Sequence, residues 1–126
     1  MHTQFAPTLT SVRAARSWLD ESCADQSAWP AVRKVVELLL SEVVANAVLH
    51  GQGEITVEVS CTANGVEVTV SDHGPGRPSV RQVPASATGG RGMALVDALA
   101  SRWGVTSHPG GAGKTVWFSV EAGVGS

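Results

Sequence analysis

Between Gly53 and Asp72 the chain alternates apolar and polar residues almost without a break. In GEITVEVSC, Ile55, Val57, Val59 and Cys61 alternate with Glu54, Thr56, Glu58 and Ser60. In GVEVTVSD, Val66, Val68 and Val70 alternate with Glu67, Thr69 and Ser71. A period of two belongs to a strand with one face buried and the other wet. Asn64-Gly65, between the two runs, suits a tight hairpin turn. Such a hairpin must have its apolar face covered, and an antiparallel sheet with helices on one side does this.

The helices come from either flank. After a short start containing Phe5, TLTSVRAARSWLDESCAD has the helical period. Thr10 or Ser11 can cap it, and Val12, Ala15, Trp18, Leu19 and Cys23 form its apolar face. A turn at Trp29-Pro30 leads into a second helix over about residues 31–50, which Gly51 ends. Downstream, RGMALVDALASRW reads as a helix, WGVTSH and KTVWFSVEA as strands, and PGGAG as the turn between them. From Gly74 to Gly90 the chain is rich in Gly, Pro and Ser and reads as a long mobile loop. The expected fold is an α/β (α+β) two-layer sandwich: a mostly antiparallel sheet with helices on one face.

Length and charge narrow the function classes. At 126 residues the chain is one domain, 1–126, large enough for a core of its own. It is 43% hydrophobic and 16% charged, as a folded domain is, and a net charge of -2 gives no footprint for direct nucleic-acid or membrane binding. Cys23 and Cys61 are too few and too isolated for a disulfide framework or a metal knuckle, and Cys61 reads as a small core hydrophobe. MHTQFAPTLT lacks a signal-peptide pattern and no run reaches transmembrane length, so a reduced, cytoplasmic compartment is expected.

Three polar features stand out against this frame. The apolar helix SEVVANAVLHG carries Glu42, Asn46 and His50 at intervals of four, one stripe along the rod. Buried polar groups need partners, so the stripe faces either protein donors or a ligand. Asp72 shares strand parity with Val66, Val68 and Val70 and should point toward the helix layer. Gly74 and Gly76 follow it in HGPG, where a backbone free of side chains permits close approach. GGRGMALV then opens a helix with a glycine-rich turn, Gly90–Arg91–Gly92, ahead of Met93, and free N–H groups at a helix start attract anions. Together these fit a nucleotide pocket. In such a pocket Asp72 could accept from an adenine amino group, and the Gly90–Gly92 turn could hold phosphates. Asn46 could offer a hard oxygen to Mg²⁺, and Glu42 could orient or deprotonate the nucleophile.

ExxxN in SEVVANAVLHG, DxGxG in SDHGPG, GxG in GGRGMALV and the terminal GKTVWFSV resemble the N, G1, G2 and G3 boxes of the GHKL (Bergerat-fold) ATPases. The single-domain branch similar to anti-sigma-factor serine/threonine kinases also resembles this chain at SVRAARSWL. That resemblance implies a Mg-ATP-dependent kinase that phosphorylates a serine on a STAS-domain anti-anti-sigma protein and sequesters a sigma factor; a homodimer is compatible with it. It implies Glu42 as catalytic base and Asn46 as Mg²⁺ ligand. ATP contacts would come from Asn46, Asp72, Gly74, Gly76, Gly90, Arg91, Gly92 and Met93, with Thr115 supporting adenine recognition, and residues 77–89 would form the ATP lid. The approach Ala87-Thr88-Gly89 lacks the acidic residue frequent in such sequences, and Met93 stands where Leu is usual. No helix with a phosphoacceptor histidine is expected, so the chain does not read as a complete sensor kinase.

Plainer readings accompany these. Asp72 also suits a cap on the His73-Gly74 turn, and His50 suits the end of a helix. His2, His73 and His108 show no metal spacing. Trp18, Trp29, Trp103 and Trp117 read as packing residues. GGAGKT at 110–115 is not a P-loop, because position 108 is His108 rather than glycine and KTVWFSV alternates as a strand. A second function class, a nucleotide-responsive protein-binding module with little or no kinase activity, fits the same boxes.

Overall fold

The computed structural model describes residues 1–74, 90–108 and 113–123, with residues 90–92 described by backbone alone. The expected hairpin is present: β2 (Ile55–Thr62) and β3 (Gly65–Asp72) pair antiparallel, with Val57 opposite Val70 and Val59 opposite Val68. The other elements are β1 (His2–Phe5), α1 (Thr10–Cys23), α2 (Trp29–His50), α3 (Gly90–Leu99), β4 (Arg102–Ser107) and β5 (Lys114–Glu121). The sheet runs β1-β2-β3-β5-β4, and every pairing is antiparallel. β5 enters between β3 and β4, which brings the start of β5 beside the end of β3.

One sheet face is dry. Ile55, Val57 and Val59 of β2, Val66, Val68 and Val70 of β3, and Val116, Phe118 and Val120 of β5 are all buried on it. Facing them, α2 buries Val32, Val36, Leu39, Leu40, Val43, Val44 and Ala47, spaced three and four apart as one helical face requires. Pro30 stands in the first turn of α2, where its missing N–H has no helical partner to lose. Met93 and Val96 of α3 and Ala15 and Leu19 of α1 complete the same core. This is the two-layer α+β sandwich expected from the sequence. Among the described residues no helix is long and apolar enough to cross a membrane.

Three local expectations need correcting. His2–Phe5 is a strand, paired with β2 from His2–Glu58 to Phe5–Ile55, although HTQF is short and carries no apolar run of its own. Thr10 and Ser11 do not cap α1: Leu9 holds the cap position without a side-chain bond, and the Ser11 hydroxyl instead donates back to the Ala6 carbonyl at 2.7 Å. The third correction concerns the cysteines. Cys23 at the end of α1 and Cys61 on β2 form a disulfide, with Cα atoms 5.8 Å apart, and no free cysteine remains. Far apart in sequence, they are brought together by α1 lying against β2.

Two of the four tryptophans end their indoles on carboxylates: Trp29 Nε1–H donates to Asp20 at 2.9 Å and Trp103 Nε1–H to Asp97 at 3.0 Å. Trp18 meets Phe5 edge-on, and Trp117 lies over Gly104 so closely that a Cβ there would come 2.6 Å from its Nε1. All four serve as packing residues, as expected.

Candidate functional site

The site begins where α2 ends. The Gly51 N–H donates to the Ala47 carbonyl at 2.8 Å, closing the last turn, and the chain then leaves in an extended conformation. It runs beside the end of β3, where the His73 N–H donates to the Gln52 carbonyl at 2.9 Å. This approach tolerates no side chain on either glycine. A Cβ on Gly51 would lie 2.6 Å from Cγ of Asp72, and one on Gly74 would lie 2.6 Å from Cα of Gly51. Gly51 therefore does more than end a helix: it seats the Asp72 carboxylate against the backbone of α2.

Asp72 faces the helix layer, as its parity requires, and is 3% exposed. Its Oδ1 accepts the Gly74 N–H at 2.7 Å, so the turn-capping reading also holds. The same carboxylate is bound by Lys114, whose Nζ lies 2.8 Å from Oδ2 and 3.1 Å from Oδ1. Lys114 is itself only 2% exposed. Register explains the pairing, since Asp72 and Lys114 stand directly opposite on β3 and β5 and so share a face. Gly113, just before it, has φ +131°, and a Cβ there would run into the Asp72 carbonyl.

Sequence reasoning passed over Lys114, yet the signal was present. Val116, Phe118 and Val120 point inward, and a period of two carries that face back to position 114, not 115. Thr115 accordingly stands on the opposite sheet face. There its hydroxyl lies 2.8 Å from the Ser71 hydroxyl and 2.8 Å from His108 Nε2. The structure does not bring Thr115 to Asp72, so the adenine role that the resemblance attached to Thr115 has no geometric support.

On α2 the polar stripe is graded. Asn46 is buried at 4% exposure, Glu42 one turn earlier is half-buried, and His50 at the helix end is exposed. Asn46 is thus the one member of the stripe withdrawn from water. Its side-chain oxygen is a hard donor of the kind Mg²⁺ takes, and Glu42, one turn earlier, is only half-buried. α3 starts at Gly90, so the backbone of Gly90 and Gly92 forms its first turn, while Met93 is buried in the core. Gly76, the proposed lid at 77–89, the Ala87-Thr88-Gly89 approach and positions 109–112 of the final turn lie outside the described residues.

A carboxylate and a cation thus meet at one end of a helix-covered antiparallel sheet, beside the end of the helix that carries Asn46. The family model described as "Histidine kinase-like ATPase domain" matches residues 5–120. The chain belongs to this family. Its place among the GHKL ATPases follows. As a histidine kinase-like ATPase domain it is 36% identical, over an alignment of 90 positions, to the "Sensor histidine kinase component HK1" of Mycobacterium tuberculosis, covering 58% of this chain and 53% of that protein. The "Probable sensor histidine kinase HK" of another strain of that species aligns at 36% identity over 24% of its length. The chain therefore spans about half, or less, of the curated relatives it matches. Among solved structures, the RsbU and RsbW domains of Rv1364c from M. tuberculosis superpose with a TM-score of 0.64 at 24% identity, over 95% of this chain and 31% of that one. The Acinetobacter baumannii histidine kinase AdeS gives a TM-score of 0.54 at 14% identity, over 98% of this chain and 68% of that one. At these identities the structural likeness is one of fold.

Proposed function

We propose that this ATPase-family domain binds Mg-ATP and acts as a protein serine/threonine kinase of the partner-switching kind, phosphorylating a STAS-domain antagonist of a sigma factor. The observation that carries the reading is the inward-facing Asp72 carboxylate, seated on Gly51 and Gly74 at the end of the helix that bears Glu42 and Asn46. In this reading Asp72 receives the amino group of adenine. Asn46 would hold Mg²⁺ through its side-chain oxygen, and the ion would supply positive charge to the phosphates. The backbone N–H groups of the α3 start, Gly90 to Gly92, receive phosphate oxygens. Glu42 takes the proton of the acceptor serine hydroxyl as that oxygen attacks the γ-phosphorus and the bond from that phosphorus to the β–γ bridging oxygen breaks, with ADP leaving. A sigma factor, the STAS protein and a second copy of the chain are the proposed partners; the cytoplasm is the proposed compartment, where the Cys23–Cys61 disulfide is open to reduction.

The glycine-rich entry Gly89-Gly90 favours a second reading, a module whose nucleotide changes its protein-binding surface without phosphoryl transfer. Phosphorylated partner separates the two, rather than ATP affinity. Incubation with [γ-³²P]ATP and a STAS-domain protein should label the latter on serine. Glu42→Ala should lower that rate at least about a hundredfold, in the range general-base catalysis contributes, while leaving ATP affinity within about threefold. Full labelling by a folded, ATP-binding Glu42→Ala protein would remove Glu42 as the base. ATP binding with no labelling of any STAS protein would favour the binding module.

A further inference from the structure

The Asp72–Lys114 pair is the most expensive polar arrangement among the described residues. Both side chains are almost fully excluded from water, at 3% and 2% exposure. Desolvating an ammonium and a carboxylate costs several kcal/mol for each ion, and an apolar pair of the same volume is often as stable or more so. Stability alone is therefore a weak reason for a lysine at the head of β5.

The geometry offers a better one. Lys114 Nζ carries three N–H donors, and Asp72 is its only hydrogen-bond partner among the described residues. Asp72 Oδ1 is shared between Gly74 N–H and Lys114, while among the described residues Oδ2 is partnered by Lys114 alone. A carboxylate offers roughly four lone-pair sites, so Oδ2 can accept once more. The pair thus presents an acceptor and a donor side by side, 2.8 Å apart. Its complement is a ligand edge with an amino donor beside an acceptor. The 6-amino group of adenine, flanked by the ring nitrogens N1 and N7, is such an edge.

We propose that Lys114 is a base-reading residue: its ammonium donates a hydrogen bond to a ring nitrogen of adenine beside the amino group that Asp72 accepts. This rests on the nucleotide reading of the site and adds a specificity determinant to it. Thr115 cannot fill the role, because it is bonded to Ser71 and His108 on the opposite sheet face.

The test is calorimetric titration of the whole chain with ADP, 1-deaza-ADP, 7-deaza-ADP and GDP. Each deaza compound replaces one ring nitrogen by C–H and leaves the amino group in place. The wild-type protein should bind one deaza compound about ten- to a hundredfold more weakly than ADP, the value of a hydrogen bond to a charged group. Lys114→Met should bind ADP with the same loss and no longer distinguish it from that compound. Where Lys114→Met does not fold, the double variant Asp72→Asn/Lys114→Met, which leaves no lone buried charge, should show the same lack of discrimination.

Equal wild-type affinity for ADP and both deaza compounds would overturn the role of Lys114 while nucleotide binding stands, and so would discrimination that survives in the lysine variants. GDP bound more tightly than ADP would overturn adenine as the base. No binding of any of the four would overturn the nucleotide reading, and this inference with it.

Discussion

Gly51 shows how one absent methyl group can organise a site. Its backbone is extended rather than left-handed, with φ -95° and ψ -169°, so alanine costs nothing in backbone conformation there. The cost is spatial, because the new Cβ would stand 2.6 Å from Cγ and 2.8 Å from Oδ1 of Asp72. Gly51→Ala should therefore destabilise the protein by about 1–3 kcal/mol, as overpacking does, and weaken nucleotide binding by pushing Asp72 off Lys114. Exposed Gln52→Ala is the control and should change stability by less than about 0.5 kcal/mol. Urea denaturation of the two variants checks both values. At this scale Asp72 was legible because three valines on alternate positions fix its direction. Lys114 was equally legible by the same rule, but a charged residue at the head of a strand invites the assumption that it points to water. Gly51's contact with Asp72 was not legible, since it joins two segments through register and helix placement rather than through local pattern.

Among the elements, strong periodicity was read well and short or polar segments were not. The hairpin strands and α2 follow from long apolar patterns, and α2 starts at Trp29, close to the expected position 31. β1 escaped because four residues with mixed burial carry little periodic signal, and its strand character comes from the edge that β2 offers. The disulfide escaped for a related reason: it depends on α1 packing across β2, a contact between elements. It joins residues 38 apart and so removes much freedom from the unfolded chain. Under non-reducing conditions a thiol reagent should find no free thiol in the denatured protein. Full reduction should lower unfolding free energy by about 2–4 kcal/mol, read from the urea midpoint, with the sheet retained by circular dichroism. Two titratable thiols in the non-reduced, denatured protein would contradict the pairing.

For the molecule as a whole, the sheet order β1-β2-β3-β5-β4 explains why one end of the sandwich gathers chemistry. β5 slips between β3 and β4, so the end of β3 and the start of β5 deliver Asp72 and Lys114 to one point, and the end of α2 arrives at the same point through Gly51. The two-layer architecture was legible from the switch between periods of two and near four. The interior position of β5 was not, because strand order is fixed by long-range pairing. The central claim is that this meeting point binds the base of a nucleotide whose metal lies against Asn46. The most direct measurement is calorimetric titration of the purified protein with ATP, with and without Mg²⁺, beside Asp72→Asn and Asn46→Ala. Micromolar binding that falls at least about tenfold in Asp72→Asn, and that loses its Mg²⁺ dependence in Asn46→Ala, is the predicted result. A folded wild-type protein that binds no ATP, or variants that bind as the wild type does, would contradict it.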